Sequence, residues 1–146
     1  MARGYSGYFP AMLTQEQQIW EAYLAANPGK VTNADYNVRV GQGRDPGPTF
    51  EDNARRAAIL NSQLRLDATS YENGTWWIYE VKVGARAGSV GQLLQYQIYY
   101  EDAFPSNRPI QLAIVTDLPA QGVDRLTARF GIKLFVVPVV FSPPTT

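Results

Sequence analysis

Residues 65–96 read RLDATSYENGTWWIYEVKVGARAGSVGQLLQY, and the alternation within them decides how the chain folds. Side chains along a strand point to opposite faces in turn. In 75–83, Trp77, Tyr79, Val81 and Val83 take one face, and Ile78, Glu80 and Lys82 take the other. In 63–71, Leu64, Leu66 and Ala68 share a face, which leaves Arg65, Asp67 and Thr69 opposite. Asn73-Gly74 between the two runs is a hairpin signal, because a tight two-residue turn needs residues that accept positive φ. If the strands pair, their polar faces coincide. Asp67 and Glu80 then converge beside Lys82.

Two carboxylates about 4 Å apart repel by roughly 4 kcal/mol at an effective dielectric near 20. Lys82 offsets part of this, and a divalent cation would offset more. The 146 residues include no His and no Cys. Disulfides, thiolate sites, zincin-type sites and His-based triads are therefore excluded. Oxygen ligands alone favour Mg²⁺ or Mn²⁺. Such an ion orients water and stabilises charge on a phosphoryl oxygen. The plainer reading of the same residues is a solvated strand face with a cross-strand ion pair, worth roughly 0.2–1 kcal/mol.

Working outward, residues 89–101 have helical spacing, with Val90, Leu93, Leu94, Ile98 and Tyr100 expected on the core arc. Gln92 and Tyr96 lie four apart on one flank, facing either the carboxylates or a nucleic-acid backbone, or simply bounding the core. Upstream, Thr14 and Gln17 form a capping-box pattern. It opens a helix to about Ala26 with Ile19, Tyr23 and Leu24 inward. A short strand at 36–41 and a Gly/Pro-rich loop precede a helix capped by Thr49. On that helix Phe50, Ala54, Ala57 and Leu60 are expected to share the inner face, with Arg55 and Arg56 off it. Downstream come a strand at 110–116, a short helix near 120–130 and a strand at 132–139. Pro138 ends that last strand or places it at an edge. Two antiparallel strands followed by alternating helices and strands predict an α/β fold, with a central mixed sheet flanked by helices.

With 45% hydrophobic and 18% charged residues, the chain has the composition of one globular domain. We place it at 14–140, after an N-terminal arm (1–13) and before a tail (141–146). Thirteen basic and thirteen acidic side chains give zero net charge. There is no general basic coat for nucleic acid, so phosphate binding needs local clustering or a metal. The first residues lack the apolar core of a secretory signal, and the run LFVVPVVF is too short to span a bilayer. The expectation is a soluble protein, neither secreted nor membrane-bound.

Asp67, then Glu80-Val81-Lys82, then a helix with Gln92-x-x-x-Tyr96 together resemble the PD-(D/E)xK nuclease superfamily, the restriction-endonuclease-like fold. The Gln-x-x-x-Tyr element is similar to that of the RecB-type branch. The stretch from about 36 to 140, including VRVGQGRDPGP, resembles small phage-encoded members. Leu66 stands where the motif's name has Pro, a variable position in the family. The resemblance implies a Mg²⁺-dependent (or Mn²⁺-dependent) nuclease acting on DNA, located in the host cytoplasm or the virion. It implies Asp67, Glu80 and the Val81 carbonyl as metal ligands, Lys82 as the catalytic lysine, and Gln92 and Tyr96 supporting the water or the DNA backbone. A Glu from the first helix often joins such sites, and Glu16 and Glu21 both qualify. Arg65 and Arg86 stand as candidate phosphate contacts or as surface charges. The alternative is a structural component of a phage particle, in the neck or head–tail region, built on the same fold. Its contacts to phage structural proteins would run through the aromatic, Gly-rich arm. The number of subunits is left open, a homo-oligomer included.

Overall fold

The computed structural model describes Phe9 and residues 12–142. Nine elements follow one another: α1 (Thr14–Ala26), β1 (Ala34–Val40), α2 (Asp52–Ser62), β2 (Leu64–Glu72), β3 (Thr75–Lys82), α3 (Ala87–Ala103), β4 (Ile110–Thr116), α4 (Val123–Arg129) and β5 (Lys133–Val136). The strands form one mixed sheet in sequence order, β1-β2-β3-β4-β5. β1, β2 and β3 pair antiparallel, while β3, β4 and β5 pair parallel. The β3–β4 and β4–β5 connections must therefore cross over, and α3 and α4 supply the crossovers. The expected α/β architecture with helices on both faces is present.

Each face of the sheet has its own core. On one, Ile19, Trp20 and Tyr23 of α1 pack on Ala68, Tyr79, Val81, Ala113 and Val115. On the other, Val90, Leu93 and Tyr100 of α3 pack on Val40, Leu66, Ile78, Leu112 and Ile114. The β2–β3 turn has Asn73 at φ 50 and Gly74 at φ 81, the pair of positive values a type I′ turn requires. β5 stops at Val136, before Pro138, on the sheet edge. No described helix is long and apolar enough to cross a membrane.

Four local expectations are corrected. First, Leu13 rather than Thr14 is the N-cap of α1, and the reciprocal bond comes from Glu16, whose Oε1 accepts from the Leu13 N–H at 3.1 Å. Second, α2 buries no residue; Phe50, Ala54, Ala57 and Leu60 are exposed, and Arg55, Ala58 and Ile59 are the more covered positions. Arg55 is partly covered because its guanidinium meets Asp45 on the preceding loop at the surface, with bonds of 2.6 and 2.7 Å. Third, Ile98 is exposed while Tyr100 is buried; two residues apart, they lie about 200° apart around the helix and cannot share a face. Fourth, Phe9 and Met12, assigned to an arm outside the core, are buried against α1 and its sheet face. The rest of the arm to residue 11 lies outside the described residues, as does the tail beyond residue 142. Phe141 packs on the α1-side core.

Candidate active site

The site begins where the β2–β3 ladder ends. Paired residues run from Glu72↔Thr75 to Ala68↔Tyr79 and stop. Beyond that point β2 continues with β1 alone, through Val38↔Leu66, Arg39↔Arg65 and Val40↔Leu64. The parting of β2 from β3 coincides with a change of face. Ala68 belongs to the α1-side core and Leu66 to the α3-side core, although regular alternation puts them together. Across the ladder, Tyr36 and Val38 divide in the same way, around Asn37 at φ 55. A left-handed residue twists the ribbon there, a conformation Asn tolerates better than most side chains. The expected common face of Leu64, Leu66 and Ala68 is therefore broken at Asp67.

Asp67 fills the gap that results. Its Oδ2 accepts the Val81 N–H at 2.8 Å, taking the place of a ladder carbonyl. In an extended strand a residue's N–H and C=O point to the same edge. The Val81 carbonyl thus also faces the side that β2 has left. Ile78, Glu80 and Lys82 share the α3 face, because Tyr79 and Val81 belong to the opposite core. Asp67 and Glu80 are both buried, with 8% and 6% of their surface exposed. Lys82, the last residue of β3, is exposed.

Burial is the first cause of the electrostatics here. It pushes Asp67 above the carboxylate range to about 7, against the Val81 N–H bond; the Glu16 charge raises it further and Lys82 lowers it. Burial likewise pushes Glu80 up to about 9, with repulsion from Asp67 next, relief from Lys82 and a smaller push from Glu16. Lys82 acts on both acids at a distance; among the described residues the ion pair within 4.0 Å is Arg55–Asp45. Tyr96 is half-buried, and its phenol is raised to about 12 by burial, then by the charges of Glu80 and Asp67. It faces the acids from α3.

The structure thus brings together Asp67, Glu80, Val81, Lys82 and Tyr96. Gln92 is exposed one turn before Tyr96. Arg65 is exposed on β2 and Arg86 is the exposed N-cap of α3; neither contributes to the field on the acid pair. Of the two candidate glutamates, Glu16 is buried and acts on both acids, while Glu21 is exposed. The signal was present in the sequence. Glu16, Ile19, Trp20 and Tyr23 follow the i, i+3, i+4, i+7 spacing of one helix face, and Glu21 does not. Asn37 was missed altogether. Its Oδ1 is buried without a donor among the described residues, and it lies where the β1–β2 register is interrupted, between Tyr36↔Ala68 and Val38↔Leu66.

Among the described residues no three acidic side chains are grouped closely enough to hold a metal by themselves. The donor set does fit a hard divalent ion of the Mg²⁺ kind. Such an ion usually takes one or two carboxylates and keeps waters or substrate phosphate oxygens for its other positions. Two buried, mutually repelling carboxylates beside a free-facing main-chain carbonyl supply that partial set.

No protein-family model matches the chain, and no curated protein matches it. Among solved structures it is similar to a protein of unknown function, AF1548, at 16% identity and a TM-score of 0.51, over 82% of this chain and 55% of the other. A repair endonuclease from Pyrococcus abyssi aligns at 14% identity and a TM-score of 0.48, over 98% of this chain and 50% of the other. An EndoMS–dsDNA2 complex aligns at 15% identity and 0.48, over 99% and 51%. The chain spans about half the length of these structures.

Proposed function

We propose that this chain is a Mg²⁺-dependent nuclease of the restriction-endonuclease-like kind, hydrolysing DNA phosphodiester bonds. The observation that carries the reading is the buried pair Asp67–Glu80 at the point where β2 leaves β3, with both acids raised by burial and no ion-paired partner among the described residues. A fold gains nothing in stability from two such groups, since removing carboxylates from water is costly unless they are paired or bind a metal. Asp67, Glu80 and the Val81 carbonyl would hold the ion. When bound, it supplies Lewis-acid stabilisation of phosphoryl charge and a more acidic water.

The chain's own groups do the rest. The Val81 N–H fixes one oxygen of Asp67 and leaves the other for ligation. Lys82 is exposed at the mouth of the site, where its ammonium neutralises charge on the phosphate or orients the attacking water. The Tyr96 phenol stays protonated at neutral pH and donates a hydrogen bond toward the acids or a bound phosphate. Glu16 sets the negative field that draws a cation in. The loop after β3 is held firmly: Gly84 N–H donates to Asp117 at 2.8 Å and Ala85 N–H to Thr116 Oγ1 at 3.0 Å. Lys82 is therefore anchored from below.

A second reading, a structural part of a phage particle on the same fold, is favoured by α2. That helix buries no residue and exposes Leu60, and Phe50 just before it is exposed as well, as a surface awaiting a protein partner would. Cleavage of DNA by the purified protein, with and without Mg²⁺ and beside Glu80→Ala, separates the two. Cleavage that needs both Mg²⁺ and Glu80 supports the enzyme; none under any condition leaves the structural reading.

A further inference from the structure

Arg39 and Arg65 stand directly opposite one another in the β1–β2 register. Like charges placed so are destabilising, and two arginines are a costly choice unless an anion joins them. They lie on the two-stranded ribbon that continues after β2 has parted from β3. Val38, Val40, Leu64 and Leu66 of that ribbon turn toward α3, so the alternating Arg39 and Arg65 turn away from it together. Arg65 is exposed and Arg39 half-buried. Neither has a carboxylate within 4.0 Å or a side-chain hydrogen bond among the described residues. Nor are they serving the acids of the site, whose field comes from one another, Glu16 and Lys82.

We infer that Arg39 and Arg65 form a two-pronged clamp for one phosphate of a nucleic-acid backbone, beside the site and apart from the metal. The inference rests on the nuclease reading for its ligand. Arg65 is two residues from Asp67, about 7 Å along an extended strand. The two arginines face away from α3, whereas Glu80 and Lys82 face it. The clamp therefore holds backbone passing the other face of the ribbon and not the phosphates next to the bond at the carboxylates. A guanidinium pair suits this task because its forks bind phosphate oxygens in a plane, which Lys cannot do. The chain as a whole is neutral, so a local clamp is where its affinity for backbone is concentrated.

The test compares the full chain with R39Q/R65Q, and with R125Q/R129Q on α4 as a control of equal charge. Binding of a labelled duplex is followed by fluorescence polarisation in Ca²⁺, from about 50 to about 200 mM KCl. R39Q/R65Q is expected to weaken binding about tenfold and to flatten the slope of log affinity against log salt by about 1. Its melting temperature is expected to be equal to or above that of the parent, since like-charge repulsion is relieved. Inorganic phosphate at millimolar levels is expected to raise the parent's melting temperature by less than the duplex does, in accord with a site for a strand and not for free phosphate. An unchanged salt slope, an equal loss in R125Q/R129Q, or no duplex binding by the parent would each overturn the clamp. Cleavage by the parent with an unchanged slope in R39Q/R65Q would leave the nuclease reading standing without it. A flattened slope in a protein that does not cleave would do the reverse.

Discussion

The same two strands, β2 and β3, behave differently at their two ends. At the turn end they are closed. Asn73-Gly74 reverses the chain, five residue pairs follow in register, and aromatic rings crowd both faces. Tyr71 meets Trp76 at 4.8 Å, Trp77 stacks on Tyr79 at 5.8 Å, and Tyr79 meets Trp20 at 5.0 Å. At the far end they are open. The ladder lapses after Ala68↔Tyr79, a carboxylate takes the place of a main-chain carbonyl, and acids are buried where apolar side chains would pack. One end is built for stability and the other works against it. A hairpin needs only the first, so the second points to chemistry.

The largest expected effect tests the closed end. Trp20 is fully buried, and its indole N–H donates to Tyr36 at 3.0 Å. Trp20→Ala is expected to cost about 3–5 kcal/mol, measured by denaturant unfolding. Metal affinity of the remaining folded protein should be close to that of the parent. A loss under about 1 kcal/mol would mean that the aromatic cluster is not what holds this end.

Next in size is a change at the open end with the opposite profile. Lys82→Met keeps the aliphatic stem and removes the charge. Stability is expected to move by less than about 1 kcal/mol, as for an exposed charge. Cleavage should fall about 100-fold or more, as when one transition-state stabiliser is lost. Cleavage within a few-fold of the parent would remove Lys82 from the reaction.

The pH dependence sharpens the contrast further. Asp67 and Glu80 have folded-state values raised to about 7 and about 9, above their unfolded values near 4. Between these limits the folded state binds more protons than the unfolded one, so stability must fall as pH rises. It is fully present below about pH 4 and lost as pH climbs through about 7 and then about 9. Thermal melts of the metal-free protein should show this decline, and Glu80→Gln should flatten it. At pH 8, Mg²⁺ at about a hundred times its dissociation constant should restore about 2.7 kcal/mol. A melting temperature that rises between pH 5 and 9 without metal would break the account of the open end.

The smallest effect returns to the turn. Gly74 has φ 81, and Gly74→Ala forces a Cβ into the left-handed region at about 1–2 kcal/mol. Unfolding should register that cost while metal affinity stays unchanged. Altered metal affinity would show the two ends to be coupled through the ladder.

The closed end was legible in the sequence because everything there obeys a local rule: alternation, turn chemistry and burial agree. Glu80 and Lys82 were legible for the same reason, as β3 stays paired to β4 along its length. Asp67 was found as a residue but not as a geometry. Its hydrogen bond to Val81 depends on where two strands part, and alternation carries no information about that. Asn37 escaped because a left-handed residue within a strand leaves no periodic trace. The inner face of α2 could not be read because periodicity reports packing against a core, and among the described residues α2 buries none of its own against one.

Asn37 has a consequence for how this chain can change over generations. Its neighbours Tyr36 and Val38 can drift among apolar side chains, each on its own face. Position 37 has few exits. Most substitutions meet the left-handed cost of about 1–2 kcal/mol, and Gly is the substitution that escapes it. The twist at 37 also sends Leu66 and Ala68 to opposite faces and turns Asp67 toward β3. An uncharged side chain thereby governs where an acid sits: a substitution that removes the bend at Asn37 is expected to remove the placement of Asp67 with it.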